Sequence, residues 1–251
     1  MMEENFLKRN LEEIELIKEF NLKNKPIEYS DEDAINYSSR IQPDFELQKN
    51  PDNLVQNALK CIPENLENKV VMDIGCGEGR WSRLMAERGA LVTSVDSSQK
   101  MIDIALERSE KFKEKIELLK LNFDSLSEID KQFDLAFSFH AFNNISNIKD
   151  IFQTLNKIIK TGGELIIATK LLDFSESSNK ILKKYFLPVK NKQYVIYTSG
   201  NELTDYETNA KDNGFTPIDN YLGLTNNKFN NEELNNQNIK IYDAILKYKK
   251  I

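Results

Sequence analysis

Seven residues, Asp73-Ile74-Gly75-Cys76-Gly77-Glu78-Gly79, form the densest cluster of chemically informative positions in this chain. Glycines at alternate positions let a backbone turn sharply and approach a ligand closely, because no β-carbon stands in the way. Asp73 stands two residues before the first glycine, where a negative charge repels a diphosphate and attracts an amine or a sulfonium. The spacing is G-x-G-x-G. A dinucleotide fingerprint would read G-x-G-x-x-G, with the pyrophosphate on the following helix N-terminus, so a dinucleotide is not the expected ligand. Asp96 closes a second apolar run, and His140, the only histidine in the chain, follows a third.

The elements that must hold these residues are readable from periodicity. Val70, Val71, Met72 and Ile74 make a short apolar run suited to a buried strand, and Trp81, Leu84, Met85 and Arg88 recur at helical spacing until Gly89. Leu91, Val92 and Val95 then predict a second strand ending at Asp96. Strand, loop, helix and strand together form one right-handed βαβ unit.

With its acidic residue ahead of G-x-G-x-G and the downstream run Val95-Asp96-Ser97-Ser98-Gln99-Lys100-Met101, the sequence resembles the class I S-adenosylmethionine-dependent methyltransferases, and within them the small-molecule subgroup. The resemblance covers about residues 70–250. It implies an α/β, Rossmann-like three-layer sandwich: a mostly parallel seven-stranded sheet with an antiparallel last strand, plus an N-terminal helical segment. The implied cofactor is S-adenosylmethionine, and the implied product S-adenosylhomocysteine. Asp73, Gly75, Cys76, Gly77 and Gly79 would form the first motif, and Asp96 with Ser97 and Met101 the second. In the second motif the acidic residue accepts hydrogen bonds from both ribose hydroxyls, for which Asp96 has two oxygens.

Composition sets the outer bounds. The chain has 251 residues, 40% hydrophobic and 29% charged, enough for one substantial core with elaborations. The expected organisation is an N-terminal helical segment or lid over residues 1–66 and a cofactor-binding domain over 67–251 with an insertion at about 170–199. No apolar run reaches bilayer-spanning length and residues 1–10 lack a secretory apolar segment, so the expectation is a cytoplasmic protein without a membrane partner. Cys61 and Cys76 have neither metal-ligand nor redox spacing and read as reduced thiols. No metal is expected. A net charge of −6 disfavours a nucleic-acid partner and favours small substrates.

Residues outside the βαβ unit supply further candidates. Leu7, Leu11, Ile14, Ile17 and Phe20 have the spacing of an amphipathic helix expected to pack on the core. A polar stretch follows with Tyr37 and Arg40. Residues of this kind close over ligands in the family it resembles, and Arg40 could bind the cofactor by holding its methionine carboxylate through a bidentate pair. A second helix is predicted over 53–61. After a helix around Met101, Ile102, Ala105 and Leu106, the strand 116–121 ends near Asn122-Phe123-Asp124. By resemblance, Asp124 receives the adenine amino group and Phe123 covers the ring; equally, Asp124 caps the turn at Ser125.

The strand Phe133–Phe139 runs into His140-Ala141-Phe142-Asn143-Asn144. The carboxyl ends of parallel strands face the ligand crevice in open α/β sheets, so Phe139 and His140 are expected at the cofactor and Phe142, Asn143 and Asn144 near the acceptor. His140 is the candidate base or positioning residue, with contact favoured over proton transfer. The family subgroup often carries a histidine four residues later; Asn144 stands there and is no base. A helix 148–159, a turn at Thr161-Gly162-Gly163 and a strand 164–168 continue the sheet. The insertion is predicted as a helical piece over 178–186 followed by the aromatic run 194–197, with Tyr185, Tyr194 and Tyr197 as acceptor-pocket candidates. A helix 201–213, a strand from Gly214-Phe215, an asparagine-rich loop 225–238 and a final strand 239–248 complete the chain.

The activity implied is methyl transfer to oxygen, nitrogen or carbon of a small molecule. The alternatives are an RNA-modifying methyltransferase, an S-adenosylmethionine-binding protein without methyl transfer, and a dehydrogenase, for which the glycine spacing is wrong. Oligomeric state has no signature in the sequence.

Overall fold

The computed structural model describes residues 31–39, 53–145, 147–173, 183–189, 192–198, 203–224 and 240–251. Helices α1 (Asp31–Ser38) and α2 (Asn53–Cys61) precede the sheet. The βαβ unit consists of β1 (Val70–Ile74), α3 (Arg80–Glu87) and β2 (Leu91–Asp96). Then come α4 (Gln99–Arg108), β3 (Ile116–Lys120), β4 (Phe133–Phe139), α5 (Ile148–Ile158) and β5 (Ile159–Asp173). A hairpin of β6 (Lys183–Val189) and β7 (Lys192–Thr198) forms a separate two-stranded sheet. Helix α6 (Leu203–Asp212) leads to β8 (Phe215–Leu224) and β9 (Lys240–Lys250).

Seven strands form one sheet in the order β3-β2-β1-β4-β5-β9-β8. Pairings from β3 through β5 are parallel, and β9 runs antiparallel to both β5 and β8. Alternation along each strand sends neighbouring residues to opposite faces. Met72, Ala136, Leu165 and Ile167 join the apolar cluster that holds Phe152 and Leu155 of α5 and Tyr206 of α6. Val71, Leu135, Phe137 and Ile166 join the cluster that holds Trp81 and Met85 of α3. Leu54, Val55 and Ala58 of α2 belong to that second cluster, so the chain just before β1 is continuous with the core of the sheet. Burying two such faces is what makes the sheet's inner strands apolar along their length.

Three segments depart from the sequence expectation. Residues 31–38, expected only as a polar stretch, form α1, whose buried residues are Ala34 and Ser38. Thr161-Gly162-Gly163, expected as a turn, lies inside β5: Phe133 pairs with Ile159 and Leu135 with Glu164, so residues 160–163 bulge opposite Asp134. Val70 N and Lys160 Nζ both donate to Asp134 Oδ2 at 2.9 Å, which anchors the bulge to β1. The helix expected over 178–186 is replaced from Lys183 onward by β6, in register with β7 from Lys183↔Thr198 to Val189↔Lys192. Pairing to a neighbouring strand overrides the helical spacing of one short segment. The amphipathic spacing over Leu7–Phe20 lies outside the described residues.

Candidate functional site

At the carboxyl ends of β1, β2, β3 and β4 lies a cleft of about 820 Å3 including its open mouth. Its walls bring together residues far apart in sequence. Ile74, Gly75 and Gly77 come from the glycine loop, Val95, Asp96, Ser97 and Met101 from β2 and α4, and Leu121, Asn122, Phe123 and Leu126 from the chain after β3. Phe139, His140 and Ala141 come from the end of β4, and Tyr37 from α1.

The glycine loop is tied to β2 before it reaches the cleft. Gly75 N and Cys76 N both donate to the Val95 carbonyl, at 2.8 and 2.9 Å, and Gly77 N donates to Asp96 Oδ2 at 2.9 Å. Gly75 has φ +70, and a β-carbon there would lie 2.2 Å from Ala141 Cβ. Gly77 has φ +54, and a β-carbon on it would meet no protein atom within 4 Å, so the glycine leaves that space at the cleft wall free.

Asp96 accepts from Ser98 N through Oδ1 at 3.0 Å and from Gly77 N through Oδ2 at 2.9 Å. Each carboxylate oxygen accommodates more than one donor, so the group is oriented by the backbone and keeps capacity for two hydroxyls. Burial pushes its carboxyl above the usual range, against the pull of the Ser98, Gly77 and Ser97 amides. Leu121, Phe123 and Leu126 form an apolar wall beyond it, and Asn122, at the start of the short 3-10 helix Phe123–Glu128, lends an amide that does not cap that helix.

At the other end, His140 adopts φ +64 and ψ −5, a left-handed conformation uncommon outside glycine. Its amide donates to the Ala168 carbonyl at 2.7 Å, and its ring stands edge-on to Phe139 at 4.5 Å. Phe139 in turn packs 4.9 Å from Trp81 of α3. A non-glycine residue held left-handed beside a cleft stores strain of about 1–3 kcal/mol, and such residues cluster at functional positions.

Several residues anticipated at the cofactor, and Phe142 anticipated near the acceptor, are placed behind the cleft instead. Asp73 is 1% exposed and accepts from Ser82 Oγ of α3 at 2.5 Å, with Ser94 Oγ donating to Ser82 Oγ at 2.9 Å. Burial raises its carboxyl to about 7, helped by the nearby Asp96 and Glu78 and opposed by Ser82. Cys76 is buried, and burial pushes its thiol well up, which keeps it protonated. Gly79 begins α3 and faces Ala105 and Ser109 of α4. Phe142 is fully buried against Phe123 and Tyr206. Asp124 does not line the cleft; Asn122, two residues earlier, does. Arg40 and the side chains of Asn143, Asn144, Tyr185, Tyr194 and Tyr197 lie outside the described residues.

Sequence reasoning missed Asn122, Leu121 and Leu126. The signal for Asn122 was available, since it is the first polar residue after β3. Sequence reasoning also missed a buried ionic cluster behind the glycine loop, in which Glu78 Oε2 accepts from Arg83 at 3.0 Å and Arg108 at 2.7 Å.

Among the described residues no cluster of His, Cys, Asp and Glu could hold a metal ion, and no helix is long and apolar enough to cross a membrane. Comparison with known proteins gives this geometry a context. Residues 72–167 match the family described as methyltransferase domain. A curated relative, the ubiquinone biosynthesis O-methyltransferase of Coxiella burnetii, is 27% identical over 141 residues, 56% of this chain and 57% of its own length. The aligned part therefore spans little more than half of that relative. Among solved structures, magnesium protoporphyrin IX methyltransferase from Synechocystis, with bound S-adenosylmethionine, superposes with a TM-score of 0.50 at 20% identity, covering 79% of this chain and 74% of its own. The [4+2]-cyclase SpnF superposes with a TM-score of 0.55 at 15% identity, covering 73% of this chain and 76% of its own. Residues 72–167 are thus similar to a methyltransferase domain, and the sheet order with its cleft at the carboxyl ends of the strands is the Rossmann-like fold that these solved structures share.

Proposed function

We propose that this protein is an S-adenosylmethionine-dependent methyltransferase that modifies an oxygen, nitrogen or carbon atom of a small molecule and releases S-adenosylhomocysteine. One observation carries the reading. Asp96 is held by the Gly77 and Ser98 amides at the cleft wall, between the free space at Gly77 and the apolar wall of Leu121, Phe123 and Leu126. Carboxylate, free space and apolar wall are what a ribose bearing a base and a sulfonium arm requires.

In this reading Asp96 binds the two ribose hydroxyls, and the apolar wall covers the adenine with Asn122 as a hydrogen-bonding partner at its edge. Gly75 and Gly77 let the cofactor approach the backbone. Phe139, His140 and Ala141 line the end nearest the acceptor, with Asn143, Asn144, Tyr185, Tyr194 and Tyr197 as further acceptor contacts and Arg40 as the partner of the cofactor's methionine carboxylate. The cofactor supplies a methyl group on a sulfonium that departs as a neutral thioether. Alignment and exclusion of water therefore do most of what the protein must do. His140 is assigned to contact rather than to proton abstraction.

The Coxiella relative is named as an O-methyltransferase, and we rank oxygen first among the three acceptor atoms. The net charge of −6 weighs against RNA as substrate. A cytoplasmic location belongs to the same proposal and is supported by two free cysteines, Cys61 and Cys76.

Calorimetric titration with S-adenosylmethionine, S-adenosylhomocysteine and NAD tests the reading. The expected result is binding of both sulfur nucleotides, silence with NAD, and loss of binding in Asp96→Ala. NAD binding without the sulfur nucleotides would overturn the reading. A second reading, cofactor binding without methyl transfer, is favoured by one finding: a cyclase shares this fold. Saturable binding with no labelled methyl passed to any of a panel of hydroxyl, amine and activated-carbon acceptors would select it.

A further inference from the structure

The most unusual ionic arrangement in the molecule lies outside the cleft and touches both of its sides. Glu78 follows Gly77 in the glycine loop and is 2% exposed. Its Oε2 receives two guanidinium groups, Arg83 at 3.0 Å and Arg108 at 2.7 Å. Arg83 needs no second arginine for its place, since its Nη1 also donates to the Glu78 carbonyl at 2.8 Å. Arg108 differs: it stands at the end of α4, and its other arm donates to the Ser38 carbonyl at 3.3 Å.

Ser38 is the last residue of α1, and Tyr37 just before it lines the cleft. α1 has no basic residue in its last turn. A helix C-terminus attracts a cation, and Arg108 brings one from another element. The same guanidinium thus holds the cofactor loop through Glu78 and α1 through Ser38. Gly77, the neighbour of Glu78, is the residue whose amide orients Asp96.

We infer that Arg108 is a positioning residue that seats α1, and with it Tyr37, over the cofactor cleft by joining the Ser38 carbonyl to the Glu78 carboxylate. The role in cofactor retention rests on the reading of the cleft proposed above; the joining of α1 to the loop does not. Glu78 and Ser38, to which Arg108 donates, do not line the cleft, so Arg108 acts on the cofactor through Tyr37 and the glycine loop. Its planar fork is what permits two acceptors in different directions, and a lysine ammonium on a flexible stem lacks that geometry.

The test combines S-adenosylhomocysteine binding with amide hydrogen exchange on the full chain, in wild type, Arg108→Gln, Arg108→Lys, Tyr37→Ala and the double variant Arg108→Gln/Tyr37→Ala. Arg108→Gln is expected to weaken S-adenosylhomocysteine about tenfold, mostly through faster dissociation. Arg108→Lys should show a comparable loss while keeping an ion pair to Glu78. The double variant should be no weaker than the worse single variant, because both remove the same seat. In the absence of any nucleotide, amides of residues 31–38 should exchange faster in both Arg108 variants, with those of β4 unchanged. Unchanged exchange in α1 in Arg108→Lys overturns the proposal. So does a double variant whose loss equals the product of the single losses. If wild type binds no sulfur nucleotide, the cofactor reading fails, and the exchange comparison alone decides the role of Arg108.

Discussion

Two loops leave adjacent parallel strands of this sheet and meet across its carboxyl edge, one after β1 and one after β4. They solve the same backbone problem with different residues. The first needs positive φ at Gly75, Gly77 and Gly79, and each position is glycine. The second needs positive φ at the first residue after β4, and there the chain carries His140. The contact between them is so close that a β-carbon on Gly75 would fall 2.2 Å from Ala141 Cβ. A glycine relieves the left-handed cost and yields space; a histidine keeps a ring at the cleft and bears the cost. The difference teaches where the chain spends stability: the loop after β1 is relaxed, and the loop after β4 is strained.

The largest expected effect comes from breaking the relaxed loop. Gly75→Val combines a forbidden approach to Ala141 with a branched side chain at φ +70 and should abolish S-adenosylmethionine binding in calorimetry. Gly75→Ala with Ala141→Gly sharpens the point. Removing the methyl group it would strike should recover part of the affinity lost in Gly75→Ala alone, leaving a conformational cost of roughly 1–3 kcal/mol. No recovery would mean that the contact between the loops does not limit the site.

Next is Asp96→Ala, which removes the two carboxylate oxygens proposed to hold the ribose and leaves the Gly77 and Ser98 amides without their carboxylate. Hydrogen bonds to a charged group contribute about 1.5–3 kcal/mol each, so two of them predict an affinity loss of at least about a hundredfold. An affinity within tenfold of wild type would displace the ribose from Asp96.

Asp73 and Asp96 allow a finer comparison, of a carboxyl behind the glycine loop with one in front of it. Asp73 holds its proton to about 7 in the fold and releases it near 3.9 in the unfolded chain. Across that window the folded state binds more protons, so this residue makes stability fall as pH rises, with its cost fully present above 7. Asp73→Asn keeps an oxygen for Ser82 and should raise the denaturant midpoint at pH 8 more than at pH 5. An equal shift at both values would show that Asp73 is ionised throughout.

The smallest effect is expected at the strained loop. His140→Gly removes the left-handed penalty but adds backbone freedom to the unfolded chain, and the two terms nearly offset, for a net change under about 1 kcal/mol in urea unfolding. His140→Asn should raise KM for the acceptor while leaving the pH profile of kcat unchanged. A general base removed would instead lower kcat by about 10²–10⁴-fold and change that profile.

Much of this arrangement was legible because some residue types announce their geometry. G-x-G-x-G declares a left-handed, ligand-approaching loop, and the apolar runs ending at Ile74, Asp96 and Phe139 declare parallel strands whose carboxyl ends share one edge. Asp96, Ser97, Met101, Phe123, Phe139 and His140 were accordingly anticipated and all line the cleft, as does Tyr37. Asp73 was expected to face the ligand because its charge and position suggest it. The pleat turns it instead toward α3, where Ser82 waits. Asn122 lines the cleft and Asp124 does not, because the chain enters a short 3-10 helix immediately after Asn122. Over residues 183–189 helical spacing failed against a strand partner that lies only a few residues later.

The sequence by itself determined the βαβ unit, the glycine loop and the two strand-terminal residues Asp96 and His140, because each rests on interactions within a few residues: turn conformation, periodicity and strand ends. Only the tertiary structure decided that β9 slips between β5 and β8, that Gly75 must stay clear of Ala141, and that Arg108 reaches both Glu78 and Ser38. These depend on pairs about 20 to 85 positions apart, and no local pattern reports which distant carbonyl or carboxylate a side chain will meet. Their partners are chosen by the packing of the whole sheet, in which burying a charge or a backbone group is tolerated only where another element brings its counterpart.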